Sequence, residues 1–119
     1  MDTLERLREL HPDGAARLAH LNTVASGVTD PQLLALCVTC ADTMLQGASY
    51  DIPSELDARE VAALEFTEQF VTSVGDVSDE QVQALLEHLS PEELYGFIGA
   101  LYVREMTRRV ELVAGRVLR

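Results

Sequence analysis

The stretch SPEELYGFIGALYVREMTRRVELVAGRV, residues 90–117, predicts a single helix of nearly thirty residues. Ser90 can cap its first turn, Pro91 suits the first helical position, and Glu93 completes a capping box. Apolar side chains then continue at helical spacing: Leu94, Phe97, Ile98, Leu101, Tyr102, Met106, Val110, Val113 and Val117. Because a helix of this length extends past the core of a small domain, we expect it to help build an oligomer interface.

Three more helix starts precede this segment. Asp57 and Ser78 each stand three residues before a Glu or a Gln, which is the spacing of a capping box. Asp30 precedes a proline that suits the first turn of a helix, and Gly47 supplies the positive φ that ends one. We therefore expect a helix after each of these three caps, with a loop over residues 47–56. The helix after Asp57 is expected to reach residue 74, just before Gly75.

Two short helices are expected in the N-terminal part of the chain. The first carries leucines at helical spacing over residues 4–10, and the segment HPDG, residues 11–14, interrupts it. The second is expected over residues 15–25, with Leu18 and Leu21 on one side. Since strand signals are almost missing, the sequence predicts an all-α domain of about six helices.

The composition is typical of one well-buried globular domain, which we expect to span residues 1–119. Hydrophobic residues make up 47% of the 119 residues, and the mean hydropathy is +0.05. No apolar run approaches the roughly 20 residues of a membrane span. The N-terminus is charged and periodic, unlike a signal peptide. We expect a cytoplasmic protein with no membrane partner, in which two cysteines are thiols rather than a disulfide.

The formal net charge of −11 is distributed unevenly. Residues 51–100 carry twelve acidic side chains and one basic one, whereas the last nineteen residues carry five arginines and two glutamates. A net acidic surface repels phosphate backbones, so nucleic acid is not expected as a partner. The arginine-rich end has two interpretations. It is either a solvated helix end with favourable charge or a contact with the acidic middle of a second copy.

Residues 57–112 resemble a known family. DAREVAALEFTEQFVTSVGDVSDEQVQALLEHLSPEELYGFIGALYVREMTRRVEL is similar to the C-terminal part of carboxymuconolactone decarboxylase-like proteins, which include the alkylhydroperoxidase D group. The TEQF segment and the spacing of the helix starts carry most of the resemblance. Residues that match the family pattern are Asp57, Arg59, Glu60, Ala63, Leu64, Thr67, Glu68, Asp79, Glu80, Leu85, His88, Leu89, Glu92, Glu93 and Leu94.

The resemblance implies an alkylhydroperoxidase D-like helical fold and a homo-oligomer. In active peroxidase members of that family, a Glu, a CxxC pair and a His four residues beyond the second Cys carry the chemistry. One thiolate attacks the peroxide, the second cysteine resolves the intermediate, and Glu and His move the proton.

Two alignments of the first half with this family are possible. If CVTC, residues 37–40, is the family's CxxC, the His position falls on Met44 and the Glu position on Ala25. If LLALC, residues 33–37, matches the family helix that precedes the CxxC, that motif falls on GASY, residues 47–50. We prefer the second alignment because the ends of this helix match the family pattern. In both alignments the proton-handling Glu and His are missing.

Cys37 and Cys40 are nevertheless the candidate catalytic residues. Cys37 would lie about two turns inside a helix capped at Asp30, beyond the reach of the N–H groups and dipole that stabilise a thiolate. No Lys, Arg or His lies within four residues of either cysteine, and Asp42 would raise a thiol pKa. Buried core cysteines and a functional thiol pair both stay open. Two thiols are too few to hold zinc and the histidines show no paired spacing, so no metal site is expected.

Tyr50 and Arg108 are the candidate ligand-binding residues. Tyr50 lies in the loop where the family places its active site, and Arg108 lies near a family Arg position in the last helix. We expect a carboxymuconolactone decarboxylase-like protein that lacks the peroxidase set, acting without a cofactor as a non-peroxidase enzyme or holding a small-molecule ligand. One alternative is an inactive oligomeric scaffold or subunit partner. Another is a thiol-dependent alkylhydroperoxidase that uses the two cysteines.

Overall fold

The computed structural model describes residues 3–118, and this part of the chain folds into six α-helices without a strand. The helices are α1 (Thr3–Leu10), α2 (Pro12–Ser26), α3 (Pro31–Leu45), α4 (Ala58–Thr72), α5 (Asp79–Leu86) and α6 (Pro91–Val117), with one 3₁₀ turn at Val74–Asp76. The all-α prediction is confirmed.

The helix starts follow the capping residues in the sequence. The Asp30 side chain accepts the N–H of Gln32 at 2.9 Å and begins α3. Three later helices begin with complete capping boxes, formed by Asp57 with Glu60, Ser78 with Gln81, and Ser90 with Glu93. Each of these bonds joins residues two or three apart in the chain, so the sequence alone defines them. Gly47 has a φ of 86° just after α3, as the sequence predicts.

Two predicted helix boundaries are wrong. The second helix begins at Pro12 rather than near Ala15, because the Nδ1 atom of His11 accepts the N–H of Gly14 at 3.0 Å and caps it. The predicted break between α1 and α2 is therefore a single residue. The fourth helix ends at Thr72 instead of reaching residue 74, since Ser73 is extended at φ −162° and leads into the 3₁₀ turn.

The core lies where α3, α4 and α6 pack together, with α5 closing one end. Phe97 of α6 contacts Phe66 of α4 with ring centroids 6.3 Å apart. The largest fully buried side chains among the described residues are Phe97, Leu64, Leu85, Leu101, Thr67, Cys37 and Cys40. The apolar stripe of α6 leaves this core, because Val113 and Val117 in its last turns are exposed.

The helical hairpin α1–α2 packs on the part of α6 that extends beyond the core. It is joined to α6 where Asn22 Nδ2 donates to Thr107 Oγ1 at 2.8 Å. Just beyond the C-terminal end of α2, the carbonyl oxygen of Val28 approaches Gly96 so closely that a Cβ there would lie 2.5 Å from it. A loop of this same chain therefore occupies the space that the small residue leaves. These two contacts set the position of α2 over α6.

Candidate functional site

The two cysteines are sealed in the core. Both have an exposed fraction of 0%. Burial raises the pKa of Cys37 to about 11, although hydrogen bonding from the Thr67 hydroxyl acts weakly in the other direction. Burial also raises the pKa of Cys40 to about 12, and the negative charge of Glu68 adds to the effect. Both groups are therefore protonated thiols at neutral pH.

The neighbours of the thiols do not activate them. Cys40 Sγ lies 4.0 Å from the Met44 sulfur, a weak and apolar contact. Tyr50 is half-buried against the same core, and burial followed by the charges of Cys40, Cys37 and Glu68 raises its pKa. A nucleophilic cysteine needs a cation, a base or a helix N-terminus. None of the charged groups that shift the two thiol pKa values is a cation.

Arg108 belongs to α6, where it packs against Asp42 of α3. Its Nε donates to Asp42 Oδ1, and its Nη1 donates to Glu111 Oε2 at 3.4 Å. These groups border a pocket of about 300 Å³ between α3 and α6, which we call the Asp42 pocket. Tyr50 is not among its lining residues. The structure therefore does not bring the two predicted ligand-binding residues into one pocket.

Glu105 is a buried acid beside this pocket. It is 9% exposed, and its Oε1 accepts a hydrogen bond from Arg109 Nε at 2.6 Å. Its Oε2 has no hydrogen-bond partner among residues 3–118 and is out of contact with solvent. Leaving a buried polar atom without a partner costs about 1–3 kcal/mol, and more when the group is charged.

A larger cavity of about 630 Å³ lies between the hairpin α1–α2 and α6, and we call it the hairpin cavity. Small side chains on α2 leave this space open, since Gly14, Ala15 and Ala19 face it. Its lining residues are Leu4, Leu7, Arg8, His11, Gly14, Ala15, Leu18, Ala19, Asn22, Arg104, Thr107, Val110 and Glu111. A mostly apolar cavity of this size with a few polar groups is typical of small-molecule sites.

Polar groups line the hairpin cavity from both sides. Arg8, His11 and Asn22 come from the hairpin α1–α2, and Arg104, Thr107 and Glu111 come from α6. Arg104, Thr107 and Glu111 line both this cavity and the Asp42 pocket, so the two spaces adjoin across α6. His11 caps α2 through Nδ1, which leaves its Nε2 as a possible donor at the cavity. Sequence reasoning missed Arg104 and the cavity, because both depend on how α2 sits over α6.

Between Thr3 and Leu118 no group of three or more His, Cys, Asp or Glu side chains is arranged to hold a metal ion. Over the same residues no helix has both the length and the apolar character needed to cross a bilayer. Comparisons with protein-family models, with curated proteins and with solved structures found no match.

Proposed function

We propose that this protein is a carboxymuconolactone decarboxylase-like helical protein that binds a small organic molecule in the hairpin cavity. The observation that carries the proposal is the cavity itself, about 630 Å³ of mostly apolar space with polar groups on α6. The cysteines favour binding over peroxidase chemistry, because both are sealed from solvent and held as neutral thiols.

The family assignment within this proposal is supported by the second half of the chain. The capping residues Asp57, Ser78 and Ser90 begin three successive helices, and the last of these runs for 27 residues. This is the order and spacing on which the sequence resemblance rests. A non-redox reaction in the cavity is compatible with the same site, whereas thiol-dependent peroxide reduction has no observation in its favour.

Ligand binding is tested with Nile red, a neutral apolar dye whose fluorescence rises on transfer from water. We expect saturable binding at one site per chain. Replacing Ala19 with Phe should lower the affinity at least about tenfold, because the ring takes the space of several methylene groups worth about 0.8 kcal/mol each. Ala19 is exposed at the cavity mouth, so the fold should tolerate the ring.

The matched control is Ala16→Phe, which adds the same ring to an exposed position of α2 that does not line the cavity. It should leave dye affinity unchanged. The proposal is overturned if the native protein shows no saturable binding, or if both variants lose the same affinity.

A homo-oligomer is the second part of the proposal. Tyr95 and Tyr102 are 84% and 55% exposed, and they share one face of α6 with Gly99, Val113 and Val117. Exposed aromatic and aliphatic side chains in a row are typical of protein interfaces. Arg109 interrupts this row between Tyr102 and Val113. An open cavity of about 620 Å³ lies beside the two tyrosines. This face therefore has a concave surface into which side chains of a second copy can fit.

We expect light scattering to give a mass at least twice the 13.1 kDa of the chain. Tyr102→Glu should lower that mass toward the monomer, because it places a charge within the apolar row. Val24→Glu is the control, since Val24 is 51% exposed but lies on α2. A native mass of one chain would contradict the interface, and so would equal dissociation of both variants.

A further inference from the structure

Arg104 differs from the other partly buried arginines of residues 3–118. Three arginines there are half-buried, namely Arg59, Arg104 and Arg108. Arg59 donates to Asp30 at 2.7 Å, and Arg108 is paired with Asp42 and Glu111. The guanidinium of Arg104 makes no hydrogen bond and no ion pair with any described residue.

An unpaired and partly desolvated guanidinium favours an anion. Its five N–H groups form a planar fork that fits a carboxylate through two parallel hydrogen bonds. The chain has 20 acidic residues and 9 basic ones, so a carboxylate partner for this arginine was readily available. Instead, Arg104 lines the hairpin cavity and the Asp42 pocket, where an incoming ligand can reach it.

The other lining residues of the hairpin cavity indicate which further chemical groups the ligand must have. Leu4, Leu7, Leu18 and Val110 form an apolar wall. Arg8 is a second cation among the lining residues, against a single acid, Glu111. Because the chain as a whole carries a net charge of −11, a small inorganic ion is repelled at long range. Burial of a hydrocarbon body against the leucines overcomes that repulsion.

We propose that the hairpin cavity binds an amphipathic organic anion, with a carboxylate head group on Arg104 and a hydrocarbon body against the leucines of α1 and α2. This inference rests on the proposed ligand-binding function and adds the chemical class of the ligand. The sequence alone does not single out Arg104 as the anion-binding residue, because it is one of five arginines in the last nineteen residues.

The test is isothermal titration calorimetry with decanoate and decanol, both below their aggregation concentrations. Decanoate should bind more tightly than decanol, because only decanoate carries a carboxylate that the Arg104 guanidinium can hold through two hydrogen bonds. Arg104→Gln should lower decanoate affinity at least about tenfold, because a charge-assisted bidentate contact is lost. The same change should leave decanol affinity within about twofold.

The matched control is Arg116→Gln, which removes an exposed arginine of α6 that does not line the cavity. It should leave both affinities unchanged, and circular dichroism should show that both variants keep the native helix content.

The outcomes separate the two proposals. If decanol binds as well as decanoate and Arg104→Gln changes neither affinity, the proposal of an anionic ligand is overturned, while the proposal of ligand binding stands. An equal loss of decanoate affinity in Arg104→Gln and Arg116→Gln also overturns the proposal of an anionic ligand on Arg104. If neither compound binds, the inference and the proposed function both fail.

Discussion

Iodoacetamide should leave Cys37 and Cys40 unlabelled in the folded protein between pH 5 and 9. The reagent attacks thiolates, and folding raises the two thiol pKa values to about 11 and about 12. At pH 8, moving a thiol pKa from 9.0 to about 11 lowers the thiolate fraction about a hundredfold. Exclusion of the reagent from a side chain that is 0% exposed adds to this protection. The expected native rate is therefore set by transient unfolding.

Mass spectrometry of the native and urea-unfolded protein provides the comparison. Both cysteines should be modified rapidly once the chain is unfolded. Fast native labelling with a midpoint below about pH 8.5 would indicate an activated thiolate. Thiol-dependent peroxidase chemistry would then become the preferred function. No such midpoint is expected, because no cation contributes to the pKa of either thiol.

The same pKa values make stability depend on pH in the alkaline range. Both thiols have raised values in the folded state, so the unfolded chain loses these protons first. Their contribution to stability is present in full below the ordinary thiol value of 9.0. It is lost as the pH rises from there toward about 11 and about 12. Denaturant midpoints measured from pH 7 to 10 should begin to fall above about pH 9.

The parts of this fold that the sequence predicts are those that depend on neighbours in the chain. The caps at Asp57, Ser78 and Ser90 are closed by residues three positions away, so their spacing suffices to place three helix starts. The distance of Cys37 from the cap of α3 likewise predicts a thiol that the helix N-terminus does not stabilise as a thiolate. His11 is a local feature that was missed, since histidine is not among the residues preferred as caps.

The candidate site could not be predicted in the same way, because it is built from distant segments. Asn22 and Thr107, which join α2 to α6, are 85 residues apart. Nothing near Arg104 in the sequence indicates that it lacks an acidic partner, and Glu111 lies two turns away on its own helix. Arg108 was singled out by resemblance, yet in the structure it is already paired with Asp42. Which arginine pairs with which acid depends on how three helices pack together. The spacing of residues within one segment of the sequence does not contain that information.

Gly96→Ala and Gly99→Ala should change the free energy of unfolding in opposite directions, although the two glycines are less than one turn apart on α6. A Cβ at Gly96 would lie 2.5 Å from the Val28 carbonyl oxygen, which belongs to backbone and cannot rotate away. Such overpacking costs about 1–3 kcal/mol, offset by the 0.5–1 kcal/mol that Ala gains over Gly in a helix. We expect a net loss of about 1–2 kcal/mol, or roughly 4–8 °C in Tm.

Gly99 is the matched control, because nothing among the described residues lies within 4 Å of the Cβ that Ala would add there. Its replacement should raise stability by about 0.5–1 kcal/mol through helix propensity alone, as measured by urea denaturation. A stabilising Gly96→Ala would contradict the close approach of the loop to α6, and with it the position of α2 that shapes the hairpin cavity. A destabilising Gly99→Ala that also lowers the mass in light scattering would show that the proposed second copy approaches this face of α6 too closely to leave room for a Cβ. The pair therefore separates a contact within the chain from a contact between chains, using the same substitution on the same helix.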